Sequence, residues 1–135
     1  MKKDKITVSG KRKTSIAKAT IYPGEGVIKI NKKPYTHLNE FRKLSIDEPI
    51  RIVKKILGKF NFDVDLNIKG GGQESRIDAA RLAIAKAVYK ITKSEELRKA
   101  FLDYDRNLLV ADTRRKETYK SGDSKARRRR QKSYR

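Results

Sequence analysis

The sequence predicts an α+β domain in which helices cover a sheet in two layers. One observation is the strict alternation of apolar and polar residues over 62–69, which is typical of a half-buried strand. A second is the alanine-rich segment 73–93, whose apolar residues recur at helical spacing. The third is the concentration of positive charge at both ends of the chain, which predicts a globular body over residues 1–112 and an extended basic tail over 113–135.

Three further segments complete the predicted sheet. Ile6 and Val8 flank Thr7 in a short first strand, and residues 15–22 alternate in a second. Residues 23–26, Pro-Gly-Glu-Gly, predict a turn. The chain would then return over 27–31 as a third strand that forms a hairpin with the second and ends at Pro34.

The remaining body segments have helical patterns. Thr36 would cap a short helix over 36–44, and a second helix would begin with Pro49 in its first turn and end at Gly58. Ser94 is the predicted cap of a helix that follows the long one and reaches about Tyr104. The apolar residues within 105–112 are expected to dock back on the body.

Charge is the dominant compositional fact. The chain has 135 residues and a net charge of +20, of which +6 lies in residues 1–20 and +9 in residues 113–135. Such an excess opposes compaction, so it indicates a polyanionic partner, and nucleic acid is the leading candidate.

The tail carries the strongest functional signal. Its run Arg127–Arg130 presents consecutive guanidinium groups, whose paired donors match phosphate oxygens. A nuclear-import address and a membrane-binding patch are weaker alternatives. Tyr134 could stack on a base, or rest on a sugar or on protein.

Two other segments could bind phosphate. Residues 9–15, Ser-Gly-Lys-Arg-Lys-Thr-Ser, place three cations between the first two strands, although a charged turn is the plain alternative. Gly70–Gly72 lie between a strand and a helix N-terminus, where backbone amides can cradle phosphate. This glycine segment matches neither common nucleotide-binding motif, so close packing or approach to an RNA backbone is the better interpretation.

Catalytic chemistry has few candidate residues. His37 is the sole histidine and cysteine is absent, which excludes thiolate zinc sites and cysteine nucleophiles. Asp63 and Asp65 share a strand face and could bind a metal, but a solvent-facing or lysine-paired role is the better interpretation. We therefore expect no enzyme activity, no cofactor, no metal site and no small-molecule substrate, and no run is apolar enough to span a membrane.

Three blocks of the sequence resemble one family. Residues 10–34 are similar to the N-terminal signature of the S9 family of small-subunit ribosomal proteins, residues 69–88 to its glycine turn and long helix, and residues 112–135 to its C-terminal extension. The ending Gln-Lys-Ser-Tyr-Arg resembles the archaeal and eukaryotic branch.

The resemblance implies a ribosomal S5 domain 2-like fold with a mixed four-stranded sheet and a left-handed crossover. It implies a cytoplasmic protein in the head of the small ribosomal subunit, bound to small-subunit rRNA and to neighbouring ribosomal proteins. It also implies a tail that reaches the anticodon stem-loop of the peptidyl-site (P-site) tRNA.

These expectations assign candidate residues. The candidate RNA-binding residues are Lys11, Arg12, Lys13, Thr14, Ser15, Gly70, Gly71, Gly72, Arg76, Arg114, Arg115, Lys116, Lys120, Lys125, Arg127, Arg128, Arg129, Arg130, Gln131 and Lys132. The candidate tRNA-binding residues are Ser133, Tyr134 and Arg135. Two rival functions remain open: a free single-stranded nucleic-acid-binding protein or RNA chaperone, and a phosphate-handling enzyme built on the glycine turn.

Overall fold

The computed structural model describes residues 4–120 and 122–128 and has a mixed sheet as its first layer. Its strands are β1 (Ile6–Arg12), β2 (Ser15–Pro23), β3 (Ile28–Ile30), β4 (Lys33–Pro34) and β5 (Phe62–Lys69). Their order across the sheet is β1-β2-β5-β3-β4. Neighbouring strands are antiparallel except β3 and β5, which run parallel.

Helices form the second layer. The described residues contain three α-helices: α1 (Glu40–Leu57), α2 (Gln73–Thr92) and α3 (Glu95–Tyr104). Short 3₁₀ turns occupy Tyr35–His37 and Arg106–Leu108. The predicted α+β class is therefore confirmed.

The alternation along the strands decides which face of the sheet the helices cover. The inward side chains of β2 and β5 are buried: Ala17, Ala19, Ile21, Val64, Leu66 and Ile68. The intervening residues of the same strands, such as Lys18 and Asn67, are exposed. One face of the sheet packs on α2, and the other faces solvent, as period-2 patterning requires.

Gly10 brings β1 close to α2. A Cβ atom built at this glycine would lie 2.4 Å from the carbonyl oxygen of Ala79 and 2.7 Å from the amide nitrogen of Ala83. Both alanines are fully buried. The alanines of this helix allow close approach to the sheet, and the approach also needs a residue without a side chain on the strand.

The predicted hairpin between the second and third strands is wrong. β2 is paired with β1 on one edge and with β5 on the other, so it has no free edge for β3. Asp63 Oδ1 accepts hydrogen bonds of 2.9–3.0 Å from the backbone amides of Glu25, Gly26 and Val27. These bonds hold the loop across the start of β5, and β3 therefore runs beside β5.

The sheet also has five strands where four were expected. The additional strand, β4, contains only Lys33 and Pro34. A two-residue strand is too short to show any periodicity. Pro34 was expected to end the third strand, and it lies instead on the sheet edge, where a residue without an N–H group is tolerated.

The two predicted helices over 36–44 and after Pro49 are one helix. α1 runs from Glu40 to Leu57 with Pro49 inside it, and Thr36 lies in the preceding 3₁₀ turn. An interior proline costs a helix roughly 3 kcal/mol. The cost is offset here because Pro49 is buried together with Ile46, Ile50 and Val53 on the face that packs against the body.

The predicted helix ends are confirmed at two positions. Gly58 adopts a left-handed conformation with φ 77° and ends α1. Ser94 Oγ accepts a hydrogen bond from the Leu97 amide and caps α3. Leu108 is fully buried, so the segment after α3 does dock on the body.

The described part of the predicted tail is irregular. Residues 111–118 have no regular secondary structure, and residues 122–127 form turns. The candidates Arg129, Arg130, Gln131, Lys132, Ser133, Tyr134 and Arg135 lie outside the described residues.

Replacing Gly10 by alanine should lower the free energy of unfolding by about 1–3 kcal/mol, because the added methyl group overpacks the contact between β1 and α2. Urea denaturation of the full chain, followed by circular dichroism, measures the change. Ser9→Ala on the exposed face of the same strand is the control. Equal unfolding midpoints for the two variants would contradict the close-packing account.

Candidate nucleic-acid interface

Three segments that are distant in sequence meet at one end of the body. They are the hairpin end 12–15, the glycine segment 70–72 and the start of the predicted tail, 112–114, and together we call them the junction. Ser15 Oγ donates a hydrogen bond of 3.0 Å to the Gly70 carbonyl. Arg12 Nη1 donates to the carbonyl of Arg114 at 3.4 Å. The three basic or glycine-rich candidates of the sequence are thus brought together.

The hairpin end presents cations at its tip. Arg12 pairs with Ser15 in the ladder, which leaves Lys13 and Thr14 as a two-residue loop. Lys13 has a positive φ of 52°, a conformation that non-glycine residues seldom adopt. Lys11, Lys13 and Thr14 are exposed and free to contact a partner.

Ser15 has a structural position inside the body. Its side chain is fully buried, and its hydroxyl lies 2.8 Å from that of Ser75, so the two share a hydrogen bond. The Gly70 carbonyl lies 3.0 Å from the Ser15 hydroxyl and the Gly72 carbonyl 3.0 Å from the Ser75 hydroxyl, so two hydroxyl protons serve three close contacts. This pair of hydroxyls ties the hairpin to the start of α2.

Gly70 and Gly71 are required by close packing and backbone conformation. Their φ angles are 77° and 67°. A Cβ at Gly70 would lie 2.6 Å from the Thr14 carbonyl, and one at Gly71 would lie 1.9 Å from Ser15 Oγ. Gly72 differs, because nothing lies within 4 Å of its added Cβ. All three glycines are exposed, and Gly72 is the one at which a side chain would meet open space.

Arg76 braces the glycine segment from the surface. Its Nε donates to the Gly70 carbonyl at 2.9 Å while the residue stays exposed. This single bond fixes the direction of the side chain and leaves its two terminal nitrogens available to a ligand. A guanidinium held in this way loses less rotational freedom when it binds an anion.

Asp112 anchors the start of the predicted tail. Its carboxylate accepts from Arg114 Nη2 at 2.7 Å and from the Arg114 backbone amide at 3.0 Å. Arg12 Nη2 approaches the same carboxylate at 3.5 Å, and Arg12 Nε lies 3.8 Å from Asp78. The side-chain and backbone hydrogen bonds from Arg114, with the charge of Arg12, hold the pKa of Asp112 well below its usual range, and the same carboxylate raises the pKa of Arg114.

These ion pairs divide the predicted RNA-binding cations into two groups. Arg12 and Arg114 share the single negative charge of Asp112, and Arg12 also lies beside Asp78. Arg127 pairs with Glu117. The described candidates without an ion pair to another described residue are Lys11, Lys13, Arg76, Arg115, Lys116, Lys120, Lys125 and Arg128. Lys116 lies over the Tyr119 ring at 4.6 Å, which leaves its charge unneutralised.

One carboxylate shapes the described tail beyond residue 114. Glu117 accepts a hydrogen bond from Ser124 Oγ at 3.1 Å and lies 3.4 Å from Arg127 Nε. Ser124 is buried within the turns over residues 122–127.

The sequence interpretation gave Asp112 no role in holding Arg12 and Arg114. The bond between Asp112 and the Arg114 amide could have been predicted from the sequence, because an Asp that accepts from the amide two residues later is typical of an Asx turn. The ion pair with Arg12 could not be found in this way, since the two residues are joined only by the fold.

Residues 4–120 and 122–128 contain no arrangement of side chains for metal binding. No group of three or more His, Asp or Glu side chains is arranged there to hold a metal ion. Asp63 bonds backbone amides, and Asp65 accepts from Tyr22 Oη at 3.3 Å. None of the described helices is long and apolar enough to cross a membrane.

Replacing Asp112 by Asn should release the start of the tail from the body, because Arg12 and Arg114 lose their shared anion. In the wild type the lowered pKa means that the anchor is present above the ordinary Asp pKa of about 3.9 and is lost only as pH falls through the lower folded-state value. NMR titration of the Arg114 Nε–H resonance tests this expectation. The resonance should stay constant from neutral pH to about pH 4 in the wild type and be shifted in the variant at every pH. The control is Asp103→Asn, at an exposed carboxylate without an ion pair among the described residues. A titration midpoint near pH 4 for the Arg114 resonance of the wild type would refute the anchor.

Comparison with known proteins identifies the family. The profile of the ribosomal protein S9/S16 family matches residues 10–135. The chain is 48% identical over 129 residues to the small ribosomal subunit protein uS9 of Methanococcus vannielii, covering 93% of this chain and 95% of that protein. It is 43% identical to uS9 of Halobacterium salinarum, covering 94% and 96%, and 43% identical to uS9 of Desulfurococcus amylolyticus, covering 98% and 96%. The expected resemblance to the archaeal branch is confirmed, and the chain belongs to the ribosomal protein S9/S16 family.

Proposed function

We propose that this chain is a structural constituent of the small ribosomal subunit in the cytoplasm, and that it binds small-subunit rRNA through the junction and the basic tail. The observation that carries the proposal is the convergence of the hairpin end, the glycine segment and the start of the tail. Family membership supports the ribosomal assignment.

The junction and the residues that flank it supply fixed positive charge. Lys11 and Lys13 extend from a hairpin whose end is held by the buried Ser15, and Arg76 is oriented by Gly70. Cations that replace condensed counterions at phosphates gain the entropy of ion release. A rigid body that carries such cations neutralises phosphates at set positions and selects RNA by shape.

The tail extends this interface into RNA. Residues 113–135 carry a net charge of +9 and too few apolar residues to fold alone. The segment from Lys120 to Arg135 could reach roughly 50 Å at about 3.3 Å per residue. The bonds that Glu117 makes with Ser124 and Arg127 are few, and phosphate oxygens can replace them when the tail enters RNA. Phosphate contacts position a chain without reading sequence, so the specificity of the tail is low.

The end of the tail would contact the anticodon stem-loop of the P-site tRNA. This finer proposal concerns Ser133, Tyr134 and Arg135 and depends on the family resemblance of residues 112–135. A guanidinium held near a tRNA phosphate helps to hold the tRNA in position and performs no chemistry. Neighbouring proteins of the subunit head would complete the surroundings.

A single experiment separates this function from that of a free RNA chaperone. Cell extract from the source organism is sedimented at high salt, and the chain is detected with an antibody. A ribosomal constituent sediments with small subunits, whereas a free single-strand-binding protein stays near the top of the gradient. The second outcome would overturn the proposal.

Replacing Arg127–Arg130 by Gln should weaken binding of the full chain to small-subunit rRNA and flatten its salt dependence. The slope of log K against log salt should fall by about 3, because each phosphate contact contributes about 0.7–0.9. Filter binding over a range of salt concentrations measures it. Replacement of Lys54, Lys55, Lys90 and Lys99 on the helices by Gln is the charge-matched control. The tail assignment fails if both variants flatten the slope equally.

Deleting Ser133–Arg135 should leave assembly intact and speed P-site tRNA dissociation by about 10-fold or more, because a charged hydrogen bond contributes about 1.5–3 kcal/mol. The measurement is the rate of tRNA release from purified ribosomes that carry the truncated chain. Arg135→Lys keeps the charge and should retain most of the effect. Equal release rates for truncated and intact ribosomes would refute the tRNA contact.

A further inference from the structure

The sheet face that the helices leave uncovered is polar and basic. Lys18 on β2 and Lys29 on β3 lie on either side of β5, and Lys32 follows β3. These three lysines border a shallow groove of about 730 Å³ whose floor includes Thr20 and Asn67. None of the three forms an ion pair with a described residue. We call this surface the lysine face.

Two carboxylates of β5, Asp63 and Asp65, offset part of this positive charge. Asp63 is used by the backbone amides of the loop before β3. Asp65 pairs with Lys29 in the strand register, lines the groove and accepts a hydrogen bond from Tyr22. These hydrogen bonds leave both carboxylates charged. The groove lining nevertheless has three lysines against Asp65 alone, a net charge of +2, so a polyanion is the partner that it fits.

The side-chain types indicate which polyanion. Single strands are held by bases that stack on exposed aromatic rings, and the groove lining contains no aromatic residue. Tyr22, next to the groove, has Lys5 Nζ over its ring at 5.8 Å from the centroid. Lysine is a compact point charge that satisfies a phosphate without demanding one orientation. A face of this kind suits a regular array of backbone phosphates, as on a double helix.

The lysine face is continuous with the junction. Ile16, two residues before Lys18 on β2, is paired with Lys11 on β1 and with Lys69 on β5. The hairpin end with Lys13 follows directly. A duplex lying on the face would therefore reach the place where the tail begins.

We propose that the lysine face binds the sugar–phosphate backbone of a double-helical RNA segment, while the tail engages separate RNA beyond the junction. This inference rests on the proposed function and adds a second contact surface to it. Hydroxyl and amide groups such as those of Thr20 and Asn67 can bond the ribose 2′-OH groups across the wide, shallow minor groove of A-form RNA.

The test uses the full chain with two probes, an RNA duplex of about 16 base pairs and oligouridine of about 16 nucleotides. The variant Lys18→Gln/Lys29→Gln/Lys32→Gln should lose about 10-fold in duplex affinity at moderate salt, and its salt slope should fall by about 2–3. Its binding to oligouridine should change less than 3-fold, because the tail supplies that contact. The control variant, Lys55→Gln/Lys90→Gln/Lys99→Gln, removes the same charge from the helices and should bind the duplex like the wild type.

A further variant has an effect of opposite sign. Asp65→Asn removes the negative charge in the groove and should strengthen duplex binding by about 2–4-fold, which a damaged fold cannot do. Circular dichroism and the urea midpoint confirm folding of every variant.

Equal duplex losses for the lysine-face and control variants, or a loss confined to oligouridine, would overturn the lysine face and leave the tail proposal standing. A wild type that binds neither probe would overturn both proposals.

Discussion

The contacts that close the junction are the constraint on which the rest of the molecule depends. Ser15 ties the hairpin to the glycine segment, and Asp112 ties the start of the tail to Arg12. A tail without this anchor would leave the body in no defined direction. Because the anchor fixes its first residues beside Arg12, the proposed tail begins next to the hairpin end that carries the unpaired Lys13.

Arginine and lysine have different uses in this chain. Every ion pair within residues 4–120 and 122–128 uses an arginine, and Arg81 joins three elements by pairing with Glu48, Asp78 and Asp105. The rigid fork of arginine suits such internal pairs, whereas lysine is more strongly hydrated and stays at the surface. In the body, Arg12, Arg42 and Arg81 hold separate segments together, whereas Arg76 and the lysines are available to a partner. In the tail few carboxylates are present, and arginines become available to phosphate.

Local patterns predicted much of the fold. Alternation identified β5, helical spacing identified α2, and Gly58 and Ser94 marked helix ends. Pairing could not be predicted, since the partner of β3 depends on the long-range bonds of Asp63. Local rules placed a helix start at Pro49 because they do not include the burial that keeps α1 continuous. At the junction the charges were visible in the sequence, but the convergence of the segments, and the burial of Ser15, came only from the fold.

The central claim is that the body sets the position of a cationic tail that takes its conformation from RNA. The most direct measurement is a cryo-electron microscopy map of the small ribosomal subunit that contains this chain. We expect Lys13, Arg115 and the residues after Lys120 each to lie within about 4 Å of phosphate oxygens, with Asp112 still paired with Arg12. A map in which the chain beyond Thr113 extends into bulk water, away from any ribose or phosphate, would contradict it.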